Sequence, residues 1–240
     1  MKRKLILSIL LFFLPACSDG LYRDIQGVVK SSTPTSLSIP ASPTPTITIL
    51  GRNADEFKTE FIQSTLNTPI ANFIIRHVPQ KNPIVLELKH PNFDPIISFP
   101  FDLEQTASIT LPALASGTIA NIIAQVETLS GQTSTPTAGM ILGQLSSEGG
   151  SGGGCSPMEK VAIKDKQTNA SVSVVGPFYF NSLGNVVNTN SFDDSQCSYV
   201  MINVLPGAYN LEFLDQSLAK QAEHEVVVIP GNVSFGMDVP

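Results

Sequence analysis

The feature that most constrains the fold of this chain is an internal repeat. Ile49-Leu50-Gly51-Arg52 recurs as Ile141-Leu142-Gly143-Gln144, and residues 68–76 recur as residues 156–164. Leu86-Glu87-Leu88 recurs as Leu211-Glu212-Phe213, and residues 108–112 find a weaker echo in residues 232–236. Each match is short, but all four keep the same order. Collinear self-similarity means that one supersecondary plan is used twice. The expectation is two tandem domains of one fold, with the second copy carrying extra residues between Lys164 and Leu211.

The repeated segments read as strands. Phe73 and Ile75, and then Val85, Leu86 and Leu88, are large apolar or β-branched residues of the strand-forming kind, and turn residues between Pro79 and Pro83 separate the two groups. Residues 171–174 and 226–229 behave likewise, the latter stopped by Pro230-Gly231. The exception is residues 116–131. There Ile119, Ile122, Ile123 and Val126 follow helical spacing, with Thr118 placed to start a helix and Gly131 to end it. A strand over residues 119–126 competes with that reading. The fold class expected is therefore all-β: two tandem β-sandwich domains joined by a short linker of helical or strand character.

Residues 1–17 set the address. Met1-Lys2-Arg3-Lys4 precedes an apolar run over residues 5–14 broken only by Ser8, and Leu14-Pro15-Ala16-Cys17 follows. The run is shorter than the ~20 residues a bilayer span needs. A basic start, a short apolar stretch and a small-residue end describe a signal peptide. The motif ending on cysteine resembles the lipobox of bacterial lipoproteins. The resemblance implies that residues 1–16 are a signal peptide and that Cys17 becomes the acylated first residue of a membrane-anchored envelope protein. Several palmitate-type chains on one residue give stable anchoring, at about 0.8 kcal/mol per buried CH₂. Ser18 is not the Asp of inner-membrane retention, so the resemblance favours the outer membrane in a Gram-negative source. An ordinary signal peptide cleaved near Ala16 is the alternative.

Residues 17–45 read as a disordered tether, because residues 31–45 are rich in Pro, Ser and Thr. The remaining organisation follows: a first sandwich over residues 46–115, a linker over 116–137 and a second sandwich over 138–240. Removing Lys2, Arg3 and Lys4 from the 14 basic residues leaves 11 against 20 acids, a net charge of about −9. That balance argues against nucleic acid as a partner. In an oxidising envelope Cys155 and Cys197 read as a disulfide, with two free buried thiols as the alternative.

The second copy carries a further resemblance. Pro157, Val161 and Ile163 form a Pro-led strand after Gly143. Asp194 precedes Tyr199 and Met201, which alternate along a strand, and Val204, Pro206, Gly207, Tyr209 and Leu211 close the pattern. This resembles the carboxypeptidase regulatory-like, or transthyretin-like, family of small β-sandwiches. The resemblance covers residues 138–240 and extends only weakly to the first copy. It implies packing and turns but no catalytic residues. Cys197 stands where the family has its turn glycine.

Chemistry is otherwise sparse. Gly149-Gly150-Ser151-Gly152-Gly153 matches a nucleophile-elbow string, but it lies in a glycine-rich loop rather than between a strand and a helix. His77, His90 and His224 are separated from one another and from the cysteines, so no metal spacing arises. No cofactor motif is found. Phe178, Tyr179 and Phe180 are candidate ligand contacts if they form an exposed aromatic patch. Core filling is the competing account. The function expected is non-enzymatic: a structural, adhesive or protein-interaction role in the envelope. The partner is an unidentified envelope protein or glycan. The alternatives are a glycan- or peptide-binding module using the loop over residues 178–190, and a hydrolase built around His224.

Overall fold

The computed structural model describes residues 22–31, 38–53, 55–80, 83–104, 106, 108–145, 155, 158–193 and 196–239. Fifteen strands and one α-helix follow in order among them. They are β1 Tyr22–Ser31, β2 Thr46–Ile49, β3 Thr59–Phe61, β4 Ile70–Pro79, β5 Leu86–His90, β6 Phe93–Ser98, β7 Ile109–Ala113, α1 Thr118–Ser130, β8 Gly139–Leu145, β9 Lys160–Asp165, β10 Val175–Phe180, β11 Val186–Val187, β12 Ser198–Val204, β13 Gly207–Leu214, β14 Lys220–Val228 and β15 Val233–Val239. The fold is all-β and built from stacked sheets.

Three sheets form, with strand orders β3-β4-β1-β7, β11-β10-β12-β8-β15-β6-β5-β2 and β14-β13-β9. The repeat organises them. The order β3-β4-β1-β7 of the first half is the order β10-β12-β8-β15 of the second, and β6-β5-β2 is matched by β14-β13-β9. Each half is thus a sandwich of a four-strand sheet on a three-strand sheet, with the two-residue strand β11 added at the outer edge of the second half's larger sheet. The eight-stranded sheet arises because β15, an edge of the second sandwich, pairs in parallel with β6, an edge of the first, through Ser234↔Ile97 and Phe235↔Ser98. Joining two edges removes both from the aggregation-prone open row of amides that an edge strand presents.

Two corrections to the sequence reading follow. Tyr22–Ser31 is not part of a disordered tether. It is β1, lying between β4 and β7, and it places Ile25 and Val29 in the first core. The cause is its period-two alternation, polar at Arg23, Asp24 and Gln26 and apolar at Ile25 and Val29, which puts one face against the core. Ile39, also inside the expected tether, is fully buried. The second correction concerns the repeat's register. Residues 86–88 and 211–213 do fall on equivalent strands, β5 and β13, as do the strands β7 and β15. Ile49 ends β2 and residues 70–76 lie in β4, and the equivalents of these strands are β9 and β12, not β8 and β9. The first copy begins at β1, upstream of residue 46, which shifts its strands by one against the second copy.

The cores follow from alternation. In the first sandwich Ile25, Val29, Phe73 and Ile75 face Ile47, Ile49, Leu86 and Leu88. In the second, Ile141, Tyr199 and Met201 face Val161, Ile163, Leu211, Phe213 and Val226. The opposite face of β8, β10 and β12 carries Leu142, Phe180, Val200 and Ile202, and Ile122 and Val126 of α1 belong to the same packed cluster.

The segment read as a linker is therefore a packed helix. Its start is held by the first sandwich: Asp94 of β6 accepts the amides of Gly117 at 2.9 Å and Ile119 at 2.7 Å. These are two of the donors that a helix N-terminus leaves without intrahelical partners. Its end is Gly131, at φ 68°, with its amide on the Glu127 carbonyl.

Candidate functional site

Cys17 lies outside the described residues, as does Asp194. Cys155 and Cys197 are joined in a disulfide, with Cα atoms 5.3 Å apart. The bridge holds down the connection between β10 and β12. Within it, the Phe192 amide donates to the Glu159 carbonyl at 2.9 Å. The Phe192 ring lies 4.8 Å from Tyr179 and 5.9 Å from Tyr199, centroid to centroid, in edge geometry. Edge-to-face aromatic packing at such distances is worth about 0.5–1.5 kcal/mol beyond the area buried.

Phe178, Tyr179 and Phe180 do not form an exposed patch. All three are buried, and alternation sends them to different cores: Phe178 and Phe180 to the first cluster, Tyr179 to the second. The Tyr179 hydroxyl accepts the Val161 amide at 3.3 Å, and burial raises its pKa. Phe180 still reaches a concave surface. A cleft of about 650 Å³ lies between α1, the ends of β1 and β7, and the outer face of the second sandwich. Leu142, Phe180 and Phe235 contribute apolar surface to it, and Asn121, Gln125, Gln144 and Gln196 contribute amide groups. Leu183, 79% exposed, stands at its margin, and Lys30 is its charged residue.

The amides around this cleft are held in place. Gln125 Oε1 accepts the Val186 amide at 2.9 Å, and Gln196 Nε2 donates to the Ser182 carbonyl at 3.4 Å. Gln144 Nε2 donates to the Gln196 carbonyl at 3.4 Å. A polar lining of this kind orients hydrogen-bonding ligands without selecting for charge. Nothing in the linear sequence marks these residues, because they come together from α1, β8 and two loops.

A second groove, of about 630 Å³, opens along the first sandwich between the edge strands β2 and β3. Its lining includes Pro45, Ile47, Phe57, Thr59 and Phe61, and the Thr59 hydroxyl donates to the Ile47 carbonyl at 2.7 Å.

The histidines stay apart. His77 is exposed on β4 at φ 55°, and the Asp24 carboxylate accepts its amide. His90 is buried, with Nε2 3.0 Å from the Pro43 carbonyl and Nδ1 accepting the Asn92 amide at 3.0 Å. His224 lies on β14 with its ring 6.0 Å from Phe213, and burial lowers its pKa against the opposing pull of Glu223. Among the described residues no three His, Cys, Asp or Glu side chains are grouped to hold a metal ion. No described helix is long and apolar enough to cross a membrane.

The outer sheet β14-β13-β9 carries ion pairs instead. Lys164 meets Glu212 at 2.8 Å, Lys166 meets Glu225 at 2.5 Å and Lys220 meets Glu223 at 2.6 Å. A charged edge on β14 opposes pairing with further strands.

No protein-family model matches the chain, and no curated protein matches it. Among solved structures, the crystal structure of BcpA, the major pilin subunit of Bacillus cereus, is similar at 13% identity with a TM-score of 0.23. The match covers 81% of this chain and 53% of the pilin chain, so the chain spans about half the pilin's length. A likeness this low carries no weight for function. The class rests on the fold itself: an all-β protein of two sandwiches sharing one sheet.

Proposed function

We propose that this chain is a lipid-anchored cell-envelope protein with a non-enzymatic structural or protein-interaction role. The observation that carries this reading is the fusion of the two sandwiches. β15 continues the sheet of β6, and Asp94 of the first sandwich caps the helix that packs on the second. Two domains locked by a shared sheet and a shared helix make a rigid body suited to presenting surfaces. His224 supports the same reading, since its ring packs beside Phe213 on a strand face. Acylation at Cys17 supplies the anchor. Because β1 starts at Tyr22, the link to the lipid spans at most about 17 Å at ~3.5 Å per residue. The first sandwich then stands close to the membrane surface.

The test is fractionation. Wild-type protein is expected in the membrane fraction and Cys17→Ser in the soluble envelope fraction. Membrane retention of Cys17→Ser overturns the anchor.

A second reading is favoured by the cleft beside α1. There the loop after β10, through Ser182, Leu183 and Gly184, faces the amides of α1. On this reading the chain is a binding module for a neutral peptide or glycan. Leu183→Asp, at an exposed position, is then expected to abolish capture of the ligand while leaving the melting temperature unchanged.

A further inference from the structure

The two sandwiches differ at one equivalent place. Phe73 and Tyr199 correspond, since each lies opposite a glycine of the neighbouring strand, Gly27 and Gly143. Phe61 pairs with Phe73 as Tyr179 pairs with Tyr199, so Phe61 and Tyr179 also correspond. On the other sheet, the pairs Ile47↔Leu88 and Val161↔Phe213 place Pro45 where Glu159 stands. In the second sandwich this corner is filled. The Phe192 amide bonds to the Glu159 carbonyl, its ring covers Tyr179 and Tyr199, and the disulfide holds its segment in place. Tyr179 is consequently only 2% exposed.

In the first sandwich no described segment does this. The connection from β3 to β4 is short and winds into a 3-10 turn over Gln63–Thr65, so it does not return across the corner. The result is the open groove between β2 and β3, with Phe61 partly exposed along it. The molecule itself thus displays what fits such a corner: a bent stretch of polypeptide with an aromatic side chain, closed by the turn that begins at Asp193.

We propose that the groove between β2 and β3 receives a peptide segment of a partner protein, with an aromatic side chain set against Phe61 as Phe192 is set against Tyr179. The peptide class is favoured over a glycan because the equivalent occupant bonds through its backbone amide and buries its ring edge-on, whereas sugars stack on exposed aromatic faces. The proposal deepens the protein-interaction reading and rests on it for the existence of a partner.

The test uses the full chain and a synthetic peptide of residues 188–196, with a second peptide in which Phe192 is replaced by Ala. Calorimetric titration is paired with backbone hydrogen exchange. The expected result is saturable binding of the Phe peptide, at least tenfold weaker binding of the Ala peptide, and protection gained at residues 44–48 and 57–63. Phe61→Ala is expected to weaken binding at least tenfold. Thr46→Arg, at an exposed groove position, is expected to do the same with an unchanged melting temperature. No binding at millimolar peptide, equal binding of the two peptides, or protection confined to other strands overturns the proposal. So does protection of the same residues by a chitooligosaccharide but not by the peptide. Membrane release of Cys17→Ser is scored separately, so failure of the anchor and failure of the groove are distinguishable.

Discussion

Tyr199 of β12 lies across Gly143 of β8, so that a side chain on Gly143 would overlap its ring. The same relationship joins Phe73 to Gly27 in the first sandwich. The ring fills the space that the missing side chain leaves, and the repeat preserves the pair. It does not preserve the hydroxyl. Tyr199 is fully buried, its hydroxyl has no hydrogen-bond partner among the described residues, and desolvation raises its pKa far above the ordinary tyrosine value.

An unmatched buried hydroxyl costs about 1–3 kcal/mol. Tyr199→Phe is therefore expected to leave stability unchanged or raise it by about 1 kcal/mol, because Phe73 already shows that phenylalanine fills this corner. Gly143→Ala is expected to lower stability by about 1–3 kcal/mol, the usual cost of overpacking a core, because its methyl group would overlap the Tyr199 ring. Urea denaturation of the two variants measures both effects. A destabilised Tyr199→Phe would mean that the hydroxyl has a partner.

The Cys155–Cys197 bridge closes a loop across 42 positions. Chain-entropy arguments assign such a loop about 4 kcal/mol. Replacing both cysteines by serine is expected to lower the unfolding free energy by up to that amount and to release the Phe192 segment. Increased hydrogen exchange at Glu159 and Phe192, with the first sandwich unaffected, checks the localisation. In the intact protein neither thiol is expected to react with an alkylating agent until reductant is added.

β1 is an interior strand, flanked by β4 and β7. A chain beginning at residue 46 therefore loses Ile25 and Val29 from the first core, leaves β7 unpaired and strips β4 of its partner on one side, leaving it only the short β3. It is expected to be insoluble or partly unfolded, whereas a chain beginning at residue 18 folds. Limited proteolysis followed by N-terminal sequencing checks the same point: the resistant fragment is expected to start at or before Tyr22, not near Ile47.

His224 gives a pH dependence of known sign. Burial lowers its folded pKa below the ordinary 6.5, so the unfolded chain binds more protons in the window between the two values. Stability then rises with pH through that window, and it is lost as pH falls from about 7 through 6.5 towards the depressed folded pKa. His224→Phe removes a titrating group and is expected to flatten this part of the profile. Melting temperatures at half-unit steps from pH 7.5 to 5 measure the difference. A slope unchanged in the variant would assign it to another group.

Much of the architecture was legible in the chain. Runs of large apolar and β-branched residues marked the strands around Phe73 and Leu86, alternation marked that of Tyr199 and Met201, the spacing of Ile119, Ile122 and Val126 marked α1, and Gly131 marked its end. The two late cysteines pointed to the bridge. Other features were hidden. β1 was masked by its proximity to a Pro/Ser/Thr stretch, although Ile25 and Val29 carried its alternation. The Phe178, Tyr179 and Phe180 cluster was ambiguous because neighbouring residues on a strand bury on opposite faces when both faces are covered. The cap of α1 by Asp94 joins residues too far apart in sequence for any local pattern to reveal.

What the sequence by itself determined is therefore local and periodic: strand and helix character, the doubled plan and the paired cysteines. These follow from backbone preference and from the face each side chain presents. Only the tertiary structure decided how the halves meet. Edge pairing of β15 with β6, the cap from Asp94 and the contrast between a filled corner at Phe192 and an open one at Phe61 all depend on contacts between distant segments. Such contacts are set by packing in three dimensions, and no short-range pattern encodes them.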